Sequence, residues 1–330
     1  MFYKLKRKIE NKRNSKSIFD RFLVFIKDFI FYKIYCNLYK FKNKIIFYCK
    51  INSISFSKRN EIKKIIKDIS EGNSSKKIDL MDATFIIPTS LDSNDRKENL
   101  DYVIKYIESF FNTNIIVGEE GEKRNFEYVS NNAGYVFLLN KNGLFHKTKI
   151  LNNLIKLANT KIIISYDADV LANPLHIFYS VLLLRKNKAD VVYPYNGDVV
   201  DADKKQKEKI FSKMNIFLHN KKYHYDRSRC FGGVCIANKD TFIDIGMENE
   251  NFISWGVEDE ERNIRFEKFS YRINRTPSVL IHLYHTRTIN STNNHSNYKS
   301  NSTEYEKINL MNREELKQYV KSWPWLKNVK

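Results

Sequence analysis

With 330 residues, 42% of them hydrophobic and 29% charged, the chain can bury a full α/β domain plus one smaller unit, and a disordered chain is excluded. Its four cysteines (Cys36, Cys49, Cys230 and Cys235) form no C-x-x-C pair, which argues against a disulfide framework or a cysteine zinc site and fits a reduced, cytoplasmic compartment. The formal charge of +19 leaves three readings open, namely nucleic acid, an anionic membrane surface, or the compositional bias of a Lys-, Asn- and Ile-rich genome.

Residues 1–13 are very basic, but no apolar run with a small-residue cleavage site follows, so no secretory signal is expected. The most apolar region, residues 18–51, is broken by Lys27, Asp28, Lys33, Lys40, Lys42 and Lys44. A spanning helix needs about 20 predominantly apolar residues, so no membrane span is expected. Residues 1–80 read as a basic, aromatic extension in which Phe19, Phe22, Phe25, Phe29, Phe31, Tyr32, Tyr35 and Tyr39 are interleaved with lysines. Such a helix either lies on a membrane with its lysines snorkelling or packs its aromatic stripe on the domain that follows. Residues 71–75 read as a linker.

From residue 81 strand and helix signals alternate. Residues 83–88 form a short apolar run ending at a proline, as a buried first strand would. Residues 97–111 place Leu100, Val103, Ile104, Ile107 and Phe111 on one helical face. Residues 114–117 and 135–139 read as the second and third strands. Residues 146–158 form a helix with Ile150, Leu151, Leu154 and Leu157 inward, and residues 161–165 a fourth strand, stopping before Tyr166-Asp167-Ala168-Asp169. This alternation predicts a mostly parallel sheet with helices on both faces, and in such sheets ligands bind beyond the carboxyl ends of the strands. Further on, the glycine pair Gly232-Gly233 leads into a strand to Ala237. Residues 254–266 read as a loop and an acidic helix start, and residues 279–285 as a strand carrying two histidines. The tail after residue 290 is rich in Ser and Asn, and no chemistry is expected there.

Asp167 and Asp169, just past a buried strand, can offer oxygens to a hard divalent cation that bridges a diphosphate. His282 and His285 are the candidate partners. Three apart in a strand they would point to opposite faces, so a twist or a strand end is needed to bring both onto one metal. Mixed carboxylate and imidazole ligands favour Mn²⁺, with Mg²⁺ as an alternative. Four consecutive acids, Glu258 to Glu261, would ordinarily make a solvated helix start. Trp255 and Gly256 immediately before them point instead to a carboxylate held beside an aromatic wall, a candidate general base for a sugar hydroxyl.

These motifs resemble the GT-A glycosyltransferases of the β-1,4-galactosyltransferase type and the bacterial chondroitin-polymerase relatives that share a W-G-x-E-D motif. The resemblance covers roughly residues 83–290. It rests on the segment Phe145-His146-Lys147-Thr148-Lys149-Ile150-Leu151-Asn152, on Asp167-Ala168-Asp169, on Phe231-Gly232-Gly233-Val234, on Trp255-Gly256-Val257-Glu258-Asp259-Glu260-Glu261 and on the final His285, in that order. It implies an α/β GT-A fold, a mixed, mostly parallel sheet with flanking helices, plus the basic helical N-terminal extension. The divisions it suggests are residues 1–80, a catalytic domain over 81–290 and a tail over 291–330.

The resemblance further implies that Asp169 and His285 bind the metal, with His282 where animal relatives often have methionine as a third ligand. Asp259 would be the catalytic base and Glu258 would hold the acceptor. Gly232, Gly233, Trp255 and Gly256 would line the acceptor site. Pro88, Thr89, Arg96, Glu119, Lys147 and Asp167 would contact the nucleotide sugar. Val257 replaces a frequent second glycine, and no counterpart of the family's membrane-anchored stem is expected. The implied activity is inverting transfer of Gal, GalNAc, Glc or GlcNAc from a UDP-sugar to a glycan or glycolipid in bacterial capsule or surface-polysaccharide assembly. The setting would be the cytoplasm, peripheral to an anionic membrane, without nucleic acid as a partner. Two rival readings remain: a metal-dependent phosphodiesterase or nuclease, and a non-enzymatic basic membrane-surface protein.

Overall fold

The apolar run that opens the alternating region becomes an interior strand of the sheet. The structure is a computed structural model and describes residues 37–51, 56–73, 76–126, 133–213, 229–292 and 294–327. Strand β1 (Ile78–Thr89) pairs in parallel with β2 (Phe111–Gly121) on one side and β4 (Ile162–Tyr166) on the other. It begins earlier than expected because Ile78 and Leu80 are themselves buried and pair with Phe111 and Thr113. A register shift between Leu80 and Thr84 then sets the pairing that carries through to Thr89. Beyond β2 lies β3 (Ala133–Leu139), also parallel.

Beyond β4 come β8 (Val234–Asn238), β6 (Val191–Tyr193) and β9 (Ile273–Arg275), in that order. Strand β8 runs antiparallel to both its neighbours, and the other six strands share one direction. All five residues of β4 are buried, so this strand reads as a continuous apolar run rather than an alternating one. The α/β fold with a mostly parallel sheet agrees with expectation.

A second, three-stranded sheet sets the functional geometry: β5 (Val170–Ala172), β10 (Leu280–His282) and β7 (Val199–Asp201), with β10 central. Its register places His282 opposite Val170 on one side and Asp201 on the other. The expected strand over 279–285 is therefore only three residues long. Leu283 N–H donates to Asp169 O at 2.7 Å, and beyond it the chain runs without regular structure through His285.

Among the helices, residues 37–51 form α1, followed by α2 (Phe56–Ser70) and α3 (Asn94–Phe110). Phe111, expected on the helix, takes extended backbone and opens β2 instead, since α3 runs directly into the strand. Helix α4 (Lys147–Leu157) buries Ile150, Leu151, Leu154 and Ile155, while Leu157, expected inward, is exposed at the helix end. Helix α5 (Pro174–Arg185) starts at Pro174, with the Asn173 side chain accepting from Leu175 N–H. There follow α6 (Lys204–Lys213), α7 (Lys239–Asp244), α8 (Glu258–Lys268), α9 (Tyr298–Leu310) and α10 (Arg313–Lys321). The last two pack back through Ile308, Leu316 and Val320, joined by Trp323 just after α10, all buried.

The N-terminal region is described only from residue 37. The aromatic residues from Phe19 to Tyr35, and Ser74 and Ser75 of the expected linker, lie outside the described residues. Within the described part, Phe47 and Ile51 of α1 are buried, Phe47 lies against His176 and Tyr179, and α2 buries Ile62, Ile65 and Ile66. No described helix is long and apolar enough to cross a membrane.

Candidate active site

The expected metal ligands divide where β4 ends. Asp167 N–H donates to Gly233 O at 2.8 Å, tying it to the large sheet, whereas the Asp169 carbonyl joins the small sheet through Leu283. Two residues apart in sequence, the two carboxylates thus serve different neighbourhoods. Asp169 Oδ2 lies 3.3 Å from His285 Nε2 and 3.8 Å from His282 Nε2, and the ligand atoms of these three residues all fall within 4.8 Å of one another. The strand end that the spacing of the histidines required is present, because β10 stops at His282.

The outer nitrogens of both imidazoles are held. His282 Nδ1 lies 2.9 Å from Asp201 Oδ1 on the neighbouring strand, and His285 Nδ1 lies 2.9 Å from the Thr286 carbonyl. Donation from each Nδ1 leaves the Nε2 lone pair facing the cluster, the arrangement a ligating histidine needs. Thr286 is itself fixed by Asp95, whose Oδ2 accepts from Thr286 N–H at 2.6 Å and from its hydroxyl at 2.9 Å. Burial would raise the Asp95 carboxyl, but hydrogen bonds from Ser93 and Thr286 hold it at about 2. Burial likewise works to raise Asp169, and His282, His285 and Arg96 outweigh it, keeping the carboxylate ionised. Burial lowers the His285 imidazole, which favours its neutral, ligating form. One carboxylate and two imidazoles are a donor set that fits a divalent transition ion.

Beside this cluster, one ammonium gathers three carboxylates. Lys147 Nζ lies 3.1 Å from Asp167 Oδ1, 3.4 Å from Asp259 Oδ2 and 3.6 Å from Glu258 Oε1. Polar ties to the 248–254 segment set the start of α4. The Thr148 hydroxyl donates to Phe252 O at 3.0 Å, Asn152 Nδ2 donates to Glu248 O at 2.9 Å, and Ser254 N–H donates to Phe145 O at 2.8 Å. These ties bring Lys147 and the segment ahead of Trp255 together. Asp167 therefore meets a lysine, and it stands outside the cluster that Asp169 forms with the histidines.

The carboxylates around Lys147 are driven apart electrostatically. Burial, reinforced by the neighbouring Asp259, pushes Glu258 up to about 7, against the pull of Lys147. Burial also acts to raise Asp259, yet Lys147 and Arg262 more than compensate and hold it below the usual carboxylate range. Arg262 is buried, donating to Asp259 Oδ1 and Glu248 Oε1 at 2.8 Å each. The acid run is thus only partly a solvated helix start: Glu261 is buried and paired with Arg265 at 2.7 Å, while Glu260 is exposed.

Of the residues expected at the acceptor, Gly232 lies against the Asp259 carboxylate. A Cβ on Gly232 would come 2.6 Å from Asp259 Oδ2, so a side chain there would displace the carboxylate. Gly233 has φ +86 and lies against Leu280, where a Cβ would come within 2.4 Å. The Tyr195 hydroxyl donates to Gly232 O at 2.6 Å and so steadies the pair. Trp255 presents a half-exposed ring, stacked against Tyr298 of α9 with an interplanar angle of 17°. Its carbonyl is held by His295 Nε2 at 2.6 Å and by Asn301 Nδ2 at 3.3 Å, and Asn301 also packs against Gly256. The tail, where no chemistry was expected, thus supports the tryptophan.

Of the residues expected to contact the nucleotide, Thr89 and Glu119 are paired across β1 and β2 near the carboxyl ends of those strands. Pro88 and Thr89 lie buried at the carboxyl end of β1, and Arg96 on α3 pairs with Asp92 at 3.0 Å while its charge reaches Asp169. Glu119 is fully buried. It accepts from Asn125 N–H at 2.9 Å, from Phe126 N–H at 3.2 Å and from the Tyr135 hydroxyl at 2.5 Å, so it anchors the chain after β2. Sequence reasoning missed Asp201, Asp95, Arg262, Tyr298, His295 and Asn301. Only Arg262, one helical turn after Asp259, carried a local signal.

Comparison with known proteins bears on this geometry. A family model described as the N-terminal domain of galactosyltransferase matches residues 212–289. That segment holds the glycine pair, Trp255, Glu258, Asp259 and both histidines; Asp167, Asp169 and Lys147 lie outside it. Among solved structures, the catalytic domain of a Drosophila β1,4-galactosyltransferase 7 in complex with xylobiose is similar at 14% identity and a TM-score of 0.42, over 75% of this chain and 84% of that one. No curated protein sequence matches the chain significantly. The matched segment, on a mixed α/β fold with these side chains gathered at the strand ends, supports a glycosyltransferase. More narrowly, it supports one of galactosyltransferase-like kind, as the resemblance implied.

Proposed function

We propose that the chain is an inverting, metal-dependent transferase that moves Gal, GalNAc, Glc or GlcNAc from a UDP-sugar to a glycan or glycolipid. The observation that carries this reading is the meeting of Asp259 and Glu258 with Asp167 on one lysine, beside the cluster of Asp169, His282 and His285. Asp259 takes the proton of an acceptor hydroxyl, whose oxygen bonds to the anomeric carbon as that carbon's bond to the diphosphate breaks; UDP leaves and the configuration inverts. Glu258, uncharged below about 7, can donate to an acceptor oxygen. Lys147 stands between the two and contributes positive charge toward the leaving diphosphate. A divalent cation held by Asp169, His282 and His285, most simply Mn²⁺ with Mg²⁺ as the alternative, would add Lewis-acid stabilisation of that diphosphate.

The resemblance to bacterial chondroitin-polymerase relatives supports a role in capsule or surface-polysaccharide assembly. It also supports a cytoplasmic setting, peripheral to the inner face of the plasma membrane. Hydrolysis of a panel of UDP-sugars with Mn²⁺ identifies the donor. Asp169→Ala should abolish activity and weaken UDP binding far more in Mn²⁺ than in EDTA. Equal UDP binding by the variant and the parent in both buffers would remove the metal site from Asp169.

A further inference from the structure

Helix α1 has two apolar faces, and among the described residues one of them packs on the fold while the other is exposed. Toward the domain it places Phe47 and Ile51, both buried. On the same side, Lys50 Nζ donates to the Lys188 carbonyl and to Asn274 Oδ1 at 2.9 Å each, and Lys40 pairs with buried Asp198 at 2.6 Å. These contacts fix the orientation of the helix. The opposite side carries Leu38, Phe41, Ile45 and Tyr48, which are 61%, 63%, 47% and 47% exposed. Their spacing of three, four and three residues stacks them on a single stripe, about 15 Å long at 1.5 Å per residue. Scattered exposed apolar residues are ordinary, but four large ones aligned on one helix face mark an interaction surface.

The charge around the stripe selects the occupant. Lys42 and Lys44 are exposed on its two flanks, and residues 37–51 contain no acid. Residues 1–51 together hold fourteen Lys and Arg against three Asp and Glu, which is more than half of the net charge of +19. In the sequence before α1 the apolar spacing continues through Ile34 and Phe31, with Lys33 and Lys27 beside them. A helix with an apolar stripe, basic flanks and no acid suits the boundary of an anionic bilayer, with rings and aliphatic chains at acyl level and ammonium groups among headgroups. A nucleic-acid partner would use the lysines and leave the apolar stripe in water.

We propose that the outward face of α1, formed by Leu38, Phe41, Ile45 and Tyr48 with Lys42 and Lys44, docks the protein on an anionic lipid surface. This deepens the membrane part of the functional reading and is independent of the transfer chemistry. In this proposal opposite faces of α1 meet the domain and the lipid.

The test is sedimentation of the full chain with vesicles of phosphatidylcholine and phosphatidylglycerol at 3:1, against vesicles of phosphatidylcholine alone, in low and high salt. The parent should pellet with the anionic vesicles, release partly in high salt as screening removes the charge component, and stay in solution with the neutral ones. The double variant Phe41→Glu with Ile45→Glu should lose at least tenfold in vesicle affinity while keeping the parent's melting temperature, because neither residue supports the domain. Lys42→Glu with Lys44→Glu should lose less, and mainly in low salt. Equal pelleting of Phe41→Glu/Ile45→Glu and parent would overturn the proposal, as would failure of the parent to pellet. A parent dimer in light scattering that the same variant converts to monomer would also overturn it, by assigning the face to a second copy. UDP-sugar hydrolysis, measured separately, reads the transfer reaction, so failure of one does not imitate failure of the other.

Discussion

Replacing Asp259 by asparagine keeps the size of the side chain and removes its basicity. Arg262 Nη2 donates to Asp259 Oδ1 at 2.8 Å, and an amide oxygen at that position still accepts. On the other side, Asp259 Oδ2 lies 3.4 Å from Lys147 Nζ, and an amide nitrogen there faces another donor. Lys147 retains Asp167 at 3.1 Å and Glu258 at 3.6 Å, so the ammonium stays in place. Donor and metal binding should therefore survive while proton removal from the acceptor fails. General-base assistance is typically worth about 10²–10⁴-fold, or roughly 3–5 kcal/mol of barrier, and the loss should fall mainly on kcat. The assay is steady-state transfer to whichever acceptor the UDP-sugar screen yields, with UDP binding in Mn²⁺ as the control for an intact site. Glu260→Gln supplies the internal comparison. Glu260 is exposed and accepts from the Tyr305 hydroxyl at 3.1 Å, a bond the glutamine carbonyl keeps, so this variant should be nearly silent. If Asp259→Asn transfers at the parental rate and Glu260→Gln is dead, the register of the W-G-x-E-D assignment is wrong and the base lies elsewhere.

Two further expectations come from the same neighbourhood. Asp201→Ala removes the acceptor from His282 Nδ1, and Mn²⁺ affinity measured by calorimetry should fall about 10–100-fold; unchanged affinity would show that His282 needs no such support. Glu258→Gln should stabilise the fold in a pH-dependent way. The Glu258 carboxyl rises from its usual 4.5 to about 7 on folding, so the stability it contributes is fully present below about 4.5 and lost as pH rises through 7. Glutamine mimics the protonated form. Thermal melts should show the variant and parent converging near pH 4 and separating toward pH 8 by at most about 3 kcal/mol, and a pH-independent difference would refute the assignment.

Much of the architecture was legible in the residues because burial on both faces of a parallel sheet leaves a local signature. The apolar runs of β1 and β4, the one-sided periodicity of α3 and α4, and the glycine pair ahead of β8 are statements about neighbouring residues, and the chain alone carries them. The carboxylates at the end of β4 and the acids after Trp255 were legible for the same reason, since each motif lies within a few positions. What the chain could not state was which groups meet. Lys147 reaches Glu258 and Asp259 across 111 and 112 positions, and Asp201 reaches His282 across 81, and no periodicity spans such intervals. Local pattern stated a requirement that only the packed backbone could meet. The two-residue period of a strand put His282 and His285 on opposite faces, and only the end of β10, set by pairing with β5 and β7, brings both to Asp169. Asp167 and Asp169, alike in sequence, were separated by hydrogen bonds to two different sheets, a distinction that exists only once Gly233 and Leu283 have been packed beside them.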